Sequence, residues 1–206
     1  MRIIILFFIN FLLFFGVKTS FGQVSVRIFD YRPTGELGFV MKPLLSVEAG
    51  FMQEFDKRIR SSFSITFLKM KPRMESFPVY GVLTDGNGTT VLPGEQSFKK
   101  YSLFQLFCGF DFAFIKTKKL FIYMGADIIV GAANVDYIYK IETYKDESYS
   151  GGGILGGFRF RLGAEYAINE KLGLIINANR NLYLVAEPAA IFLANDYGIG
   201  MRYSFN

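Results

Sequence analysis

Apolar and polar residues alternate with a period of two along most of the chain, and this alternation constrains the fold more than any other feature. Between Ile59 and Phe67, apolar side chains occupy every second position except at Ser61, while arginine, serine and threonine occupy the positions between. Successive side chains of a β-strand point to opposite faces of its sheet. The pattern therefore predicts strands with one apolar and one polar face, and an all-β fold.

Three pairs of such strands are joined by short charged turns, at Asp56-Lys57, Lys116-Thr117-Lys118-Lys119 and Asn169-Glu170-Lys171. The segments between the pairs are longer. Residues 71–97 carry three prolines and an Asp-Gly-Asn-Gly cluster, residues 135–152 are rich in tyrosine and charge, and residues 183–196 contain Glu187-Pro188. Short turns on one side and long loops on the other are typical of outer-membrane barrels, whose periplasmic turns are short.

The two kinds of connection also predict the number of strands. Val24–Tyr31 supplies an outward strand before the first pair and turns at residues 33–35, and Asp196–Asn206 supplies a final inward strand. We therefore predict an eight-stranded antiparallel up-and-down transmembrane β-barrel with both chain ends in the periplasm. Five of the six prolines fall in the predicted outer loops, and we expect Pro43 to lie above the membrane at a bulge.

The first 22 residues differ from the rest of the chain. Met1-Arg2 precede an apolar run from Ile3 to Val17 and a polar break, which is typical of a cleaved secretory signal peptide. The run is shorter than the roughly twenty residues of a membrane-spanning helix. We expect residues 1–22 to be the signal peptide and residues 23–206 to be the barrel domain. The signal holds two of the 23 basic and none of the 18 acidic residues, which leaves a net charge of +3, too mild to indicate nucleic acid.

The composition of the polar faces distinguishes a membrane barrel from a soluble one. These faces hold many glycines and serines and a few charges of both signs, which suits a narrow lumen. The opposite face includes Phe104, Phe110, Phe112 and Phe114, and it would expose a large apolar patch to water. We therefore favour a transmembrane barrel over a soluble exported lipocalin-like barrel that binds a ligand.

Several charged residues of the polar faces lie at similar distances from the short turns. Charges in a low-dielectric lumen are costly unless they are paired, so the sequence predicts a lumenal ion-pair network. Its predicted members are Glu48, Asp111, Asp127, Arg159, Arg161 and Glu165. Such a network either fills the lumen or lines a pore. Asp111 and Asp127 are not expected to be direct partners, so they do not indicate a catalytic pair.

The absence of histidine bears most strongly on chemistry. Without histidine the chain can form neither a Ser/His/acid arrangement nor a Cys/His pair. The single cysteine, Cys108, is interpreted as a small apolar side chain. We predict no catalytic residues, no metal site and no cofactor.

The chain resembles the small eight-stranded outer-membrane barrels of the OmpA/OmpX kind, particularly those of Bacteroidota. The resemblance is carried by Gln23 at the predicted cleavage site, by the plan of strands and loops, and by the closing strand with Tyr203 and Phe205. The final Asn206 departs from the Phe that ends many members. The resemblance implies an integral location in the cell outer membrane, surrounded by lipid, after insertion by the barrel-assembly machinery.

These expectations lead to one favoured function and two alternatives. We expect a non-enzymatic integral outer-membrane protein, structural or an accessory subunit of a larger envelope complex, with a protein partner at outer loops 71–97 and 135–152. The alternatives are a small channel or transporter for small or apolar solutes, and the soluble exported ligand-binding barrel.

Overall fold

The computed structural model describes residues 22–85, 88–141, 146–185 and 190–205. Within them lie nine strands and one short helix: β1 (Gly22–Thr34), α1 (Glu36–Val40), β2 (Leu44–Glu54), β3 (Ile59–Met70), β4 (Phe77–Asp85), β5 (Gly88–Lys116), β6 (Leu120–Ile141), β7 (Glu147–Ala167), β8 (Leu172–Val185) and β9 (Ala190–Ser204). The predicted signal peptide lies outside the described residues except for Gly22, which begins β1. None of the described helical residues forms a helix with the length and apolar character needed to cross a membrane.

Eight of the nine strands close into one antiparallel barrel. The neighbours follow the order β3-β2-β1-β9-β8-β7-β6-β5, and the pairing of β3 with β5 closes the ring. The three predicted hairpins are β2–β3, β5–β6 and β7–β8. The predicted all-β, eight-stranded up-and-down barrel is confirmed. The ninth strand, β4, pairs only with β5 in the described part of the chain and stands outside the ring.

The hydrogen-bond register fixes the dimensions of the barrel. A path across directly paired residues from Thr34 passes Leu193, Leu182, Phe158, Ile128, Cys108, Phe63 and Phe51, and returns to β1 at Val24, ten residues below its start. With ordinary strand spacings, eight strands and this shear give a tilt of about 40° and a radius of about 8 Å. Such an interior has room for side chains only.

Three strands continue well beyond the barrel at the end opposite the short turns. Residues 88–96 of β5 pair with β4, residues 94–98 pair with residues 137–141 of β6, and residues 137–139 of β6 pair with residues 147–149 of β7. We call β4 together with residues 88–98, 137–141 and 147–153 the outer sheet. The prediction that 71–97 and 135–152 are loops was therefore wrong for most of their length.

The prolines of this region explain why the sequence did not predict the outer sheet. Pro78 lies in β4, and Pro93 lies just before the part of β5 that pairs with β6, so both occupy strand edges where a missing N–H is tolerated. Similarly, Pro33 pairs with Ala194 near the end of β1 and is not in a turn. The final strand likewise begins at Ala190, six residues earlier than predicted; Pro188 lies outside the described residues.

The alternation predicted from sequence is visible as two faces of the barrel wall. The outward side chains are apolar and exposed, among them Val47, Phe51, Phe110, Phe112, Met124, Ile128, Phe158, Phe160, Leu162, Ile176, Ile199 and Met201. A ring of exposed aromatic residues, Phe114, Tyr166, Tyr203 and Phe205, surrounds the short-turn end. An apolar belt with an aromatic girdle is the exterior of a membrane barrel. It is the reverse of a soluble ligand-binding barrel.

The helix α1 covers the opposite end of the lumen. It follows Gly35, whose φ of 65° is a left-handed conformation that glycine adopts without strain. Arg73 holds the segment in place: its Nε donates to the carbonyl oxygens of Gly38 at 2.7 Å and Met41 at 3.1 Å. Met41 also forms an isolated bridge with Pro72 and is fully buried. Pro43 lies just beyond, immediately before β2, above the paired part of the wall.

Candidate functional site in the barrel lumen

The inward faces of the strands bring all six predicted charged residues into the lumen. Arg159 lies at the centre of the group on β7. Its Nε contacts Asp127 Oδ2 at 2.6 Å and its Nη1 contacts Glu48 Oε2 at 2.6 Å. Its Nη2 donates to Ser64 Oγ at 3.2 Å, and the guanidinium lies 3.6 Å from the ring centroid of Phe107. One arginine therefore links β7 to four other strands of the wall.

Arg161 joins the two aspartates of the β5–β6 hairpin. Its Nη2 lies 2.8 Å from Asp111 Oδ1 and 2.9 Å from Asp127 Oδ1, and it donates to Ser62 Oγ at 2.6 Å. Asp111 pairs in register with Gly125, and Asp127 pairs with Gly109. The two aspartates share a cation and are not a proton-sharing pair.

Glu165 binds two arginines nearer the short-turn end. Arg60 Nη1 lies 2.7 Å from Glu165 Oε2, and its Nε and Nη2 donate to Asp111 Oδ2 at 3.1 and 3.0 Å. The Arg60 guanidinium also lies 4.6 and 5.0 Å from the rings of Phe121 and Tyr123. Arg202 forms a second ion pair with Glu165. The guanidinium of Arg60 therefore has carboxylate or aromatic partners on several sides.

Three arginines of the network were missed by the sequence analysis. Arg27 pairs with Glu48, and Arg60 and Arg202 pair with Glu165. The sequence prediction grouped charged residues that lie at similar distances from the short turns. It therefore left out Arg60 and Arg202, which lie close to the strand ends. Their inward positions in the alternation were the available signal. We call Arg27, Arg60, Arg159, Arg161, Arg202, Glu48, Asp111, Asp127 and Glu165 the lumenal ion network.

A layer of amides lies above the network. Asp196 on β9 accepts hydrogen bonds from Asn181 Nδ2 at 2.9 Å and Asn179 Nδ2 at 3.4 Å. Asp196 is buried but has no arginine within ion-pair distance among the described residues. The charge of Asp196 nevertheless affects the charge balance of the lumen, because the lumenal ion network has five arginines and only four carboxylates. With Asp196 ionised, the buried charges of this region balance.

The end of the lumen opposite the short turns is filled by apolar side chains. They form one buried group, the upper apolar cluster: Tyr31, Met41, Leu68, Met70, Leu103, Phe107, Ile129, Ala133, Leu155, Tyr183, Phe192 and Ala194. Leu37 and Val40 of α1 pack against this cluster from above. The lumen is therefore occupied by salt bridges in its lower part and by close-packed apolar groups in its upper part.

This arrangement holds the charges of the lower lumen in fixed pairs. Every carboxylate of the ion network is engaged by a guanidinium. Cys108 belongs to the outward side of β5, opposite Phe63 and Ile128, away from the network. Within the described ranges, no three Cys, Asp or Glu residues are grouped as a metal site would require. The geometry fits a packed structural core more closely than a reaction centre.

Comparison with known proteins identifies the fold but no relative by sequence. No protein-family model and no curated protein sequence matches the chain. By structure it is similar to Neisserial surface protein A, NspA, with a TM-score of 0.54 and 14% identity over 91% of this chain and 100% of that one. It is also similar to the attachment invasion locus protein Ail of Yersinia pestis (TM-score 0.45, 12% identity, 91% and 100% covered). The N-terminal barrel domain of Pseudomonas aeruginosa OprF is a third (0.39, 13%, 89% and 97%). The similarity to NspA shows the fold, that of a small outer-membrane β-barrel of the OmpA/OmpX-like type.

Proposed function

We propose that this outer-membrane β-barrel is a non-enzymatic integral protein with a closed lumen, which serves as a structural or accessory subunit of a larger envelope complex. The observation that carries the proposal is that, among the described residues, ion-paired and apolar side chains occupy the lumen along its length. A barrel of eight strands has an interior just wide enough for side chains, and here the ion network and the upper apolar cluster occupy it. What remains available to other molecules is the outer surface.

The outer sheet supports the second half of the proposal. Aromatic rings cross its four strands in a row: Phe77 to Phe98 at 5.9 Å, Phe98 to Tyr137 at 5.9 Å, and Tyr137 to Tyr149 at 4.8 Å. Cross-strand aromatic pairs stabilise a sheet, so the outer sheet is a stabilised surface that extends beyond the membrane. Rigid scaffolds that present such segments commonly use them for binding.

A small channel is the second candidate. It is favoured by the charged lower lumen, since rings of charge also line selective pores. For conduction, however, Leu103, Leu155 and the other members of the upper apolar cluster would have to separate, together with α1. The static arrangement supports a plug and not a pore.

Single-channel recording separates the two candidates. We expect the refolded mature chain in a planar bilayer to show no conductance steps, under conditions where a general porin used as the positive control conducts. Reproducible steps from the wild-type chain would overturn the closed-lumen proposal. Heat-modifiable migration on a gel, measured on the same preparation, verifies that the barrel is folded.

A matched deletion tests the accessory role. In the variant, residues 79–92, which form most of the β4–β5 hairpin of the outer sheet, are replaced by a short Gly-Ser turn, which leaves the pairing of the barrel wall intact. Chemical cross-linking in intact cells, followed by mild-detergent purification, should recover a defined envelope partner with the full chain and lose it with the shortened chain. Equal recovery with both chains would contradict a role for the hairpin.

A further inference from the structure

A row of polar residues interrupts the apolar belt on one side of the barrel. Arg180 on β8 is directly opposite Asn195 on β9, which is directly opposite Arg32 on β1. All three belong to the outward faces of their strands. Phe160 is the next residue in the same register, on β7, and is 60% exposed. We call Arg180, Asn195 and Arg32 the arginine row.

The two arginines of the row differ in how their charge is balanced. Arg32 donates from Nε and Nη2 to Asp30 Oδ2, at 2.7 and 2.6 Å. Arg180 instead donates from Nη1 to the neutral Asn195 Oδ1 at 2.7 Å. No carboxylate lies within ion-pair distance of Arg180 among the described residues. The row with Asp30 therefore carries one positive charge in excess, located on Arg180.

Apolar side chains flank the row on both sides along the strands. Ile176 and Ile199 lie toward the short-turn end, and Leu184 and Ile191 lie toward the outer end, all of them exposed. The row is therefore a polar site between apolar residues of the outward wall, close to the outer end of the apolar belt.

The depth of the row follows from the register. Asn195 is eight residues beyond Tyr203 of the aromatic girdle on the same strand. At the tilt derived above, this separation corresponds to about 20 Å along the barrel axis. The apolar band of such barrels is about 25 Å tall, so the row lies just below the outer boundary. A long arginine side chain can extend from this depth to the lipid headgroups.

We propose that the arginine row is a binding site for the phosphate group of an outer-leaflet lipid. An arginine on a lipid-facing wall is destabilising unless it meets a counter-charge. A guanidinium donates two parallel hydrogen bonds to phosphate oxygens. Asn195 orients Arg180, and Arg32, already neutralised by Asp30, adds a second donor beside it. The lipid chains would lie against Ile176, Ile199 and Phe160.

A binding experiment on the refolded mature chain in neutral detergent tests this site. Native mass spectrometry measures retention of a short-chain phosphatidic acid, of the matched diacylglycerol without phosphate, and of inorganic phosphate. We expect only phosphatidic acid to be retained, and Arg180→Gln to weaken its binding about tenfold through the lost charge-assisted bonds. The matched control is Lys69→Gln, which removes an exposed cation from the outward face of β3 and should leave binding unchanged.

Each other result counts against the proposal. Equal retention of phosphatidic acid by wild type and Arg180→Gln would overturn the site. Equal retention of the diacylglycerol would show that the wall, and not the phosphate, is recognised. Binding of inorganic phosphate at the same concentration would overturn the assignment to a lipid. Arg180 contributes to neither the lumen nor the outer sheet, so these outcomes are independent of conductance and of partner recovery.

Discussion

The two parts of the lumen occupy one barrel but are filled by different chemistry. The lower part is charged: Arg159 alone contacts Asp127, Glu48 and Ser64. The upper part is apolar, with Leu103 and Leu155 fully buried beneath α1. A charged layer requires a specific partner for every group, whereas an apolar layer requires only the right volume.

This difference indicates what each part can do for the protein. Buried ion pairs add little net stability relative to apolar packing, but they penalise wrong arrangements heavily. The ion network joins residues as distant in sequence as Arg60 and Glu165. We infer that it selects the closed register of the wall, while the upper apolar cluster supplies stabilisation and seals the outer end.

Arg159→Met should have the largest effect, because it removes the central cation and conserves much of the volume. Two buried carboxylates, Glu48 and Asp127, each lose a partner, and we expect the free energy of unfolding to fall by about 3–5 kcal/mol. Denaturant titration of the chain in detergent micelles, followed by heat-modifiable migration, measures this loss. A loss below about 1 kcal/mol would mean that the network behaves like a solvated one.

Leu103→Ala tests the upper apolar cluster by the same measurement. The truncation leaves a cavity in a closely packed region and should lower the free energy of unfolding by about 2–5 kcal/mol. The control, Leu103→Met, conserves volume and should cost less than about 1.5 kcal/mol. The contrast with Arg159→Met is direct: a volume-conserving change is tolerated in the apolar part and not in the charged part. Similar costs for the two methionine variants would refute this distinction.

Alternation alone was sufficient to predict the wall, but not all of the lower lumen, because Arg27, Arg60 and Arg202 of the lumenal ion network were missed. Because side chains in a strand alternate strictly, the faces of Glu48, Asp127 and Arg159 followed once the strands were recognised. The pairing among these residues did not follow. Which charges pair depends on the shear of ten residues around the barrel and on a bulge at Ala113–Ile115. Neither feature can be recognised in a single sequence.

The upper lumen and the outer sheet were missed for a different reason. Met41, Leu37 and Val40, which close the lumen, come from a segment without strand alternation. The outer sheet contains Pro78 and Pro93, whose position at strand edges is a tertiary property that local sequence rules do not capture. Regular repetition was therefore predictable, while the elements that cap the barrel were not.

Gly125→Ala tests how tightly the wall closes around the ion network. A Cβ at Gly125 would meet Asp111 Oδ1 and lie 2.8 Å from the carbonyl oxygen of Phe110, so the backbone must shift. We expect a loss of about 1–3 kcal/mol in the free energy of unfolding. The matched control is Gly156→Ala, where nothing lies within 4 Å of the new Cβ and the change should be close to neutral. Equal effects would show that the network adapts freely.

Lys116→Gln should have the smallest effect on the free energy of unfolding. It compares an exposed ion pair at the rim of the barrel with the buried ion pairs of the lumen. Lys116 Nζ lies 2.7 Å from Glu54 Oε2, the same separation as Arg60 and Glu165, but the side chains are 32% and 35% exposed instead of 2% and 4%. Because water screens the rim pair, its loss should cost only about 0–1 kcal/mol. The effect should also shrink further as salt is raised toward 1 M, since screening acts on exposed charges and hardly on buried ones. A salt-independent loss as large as that of Arg159→Met would show that burial is not what separates the two kinds of pair.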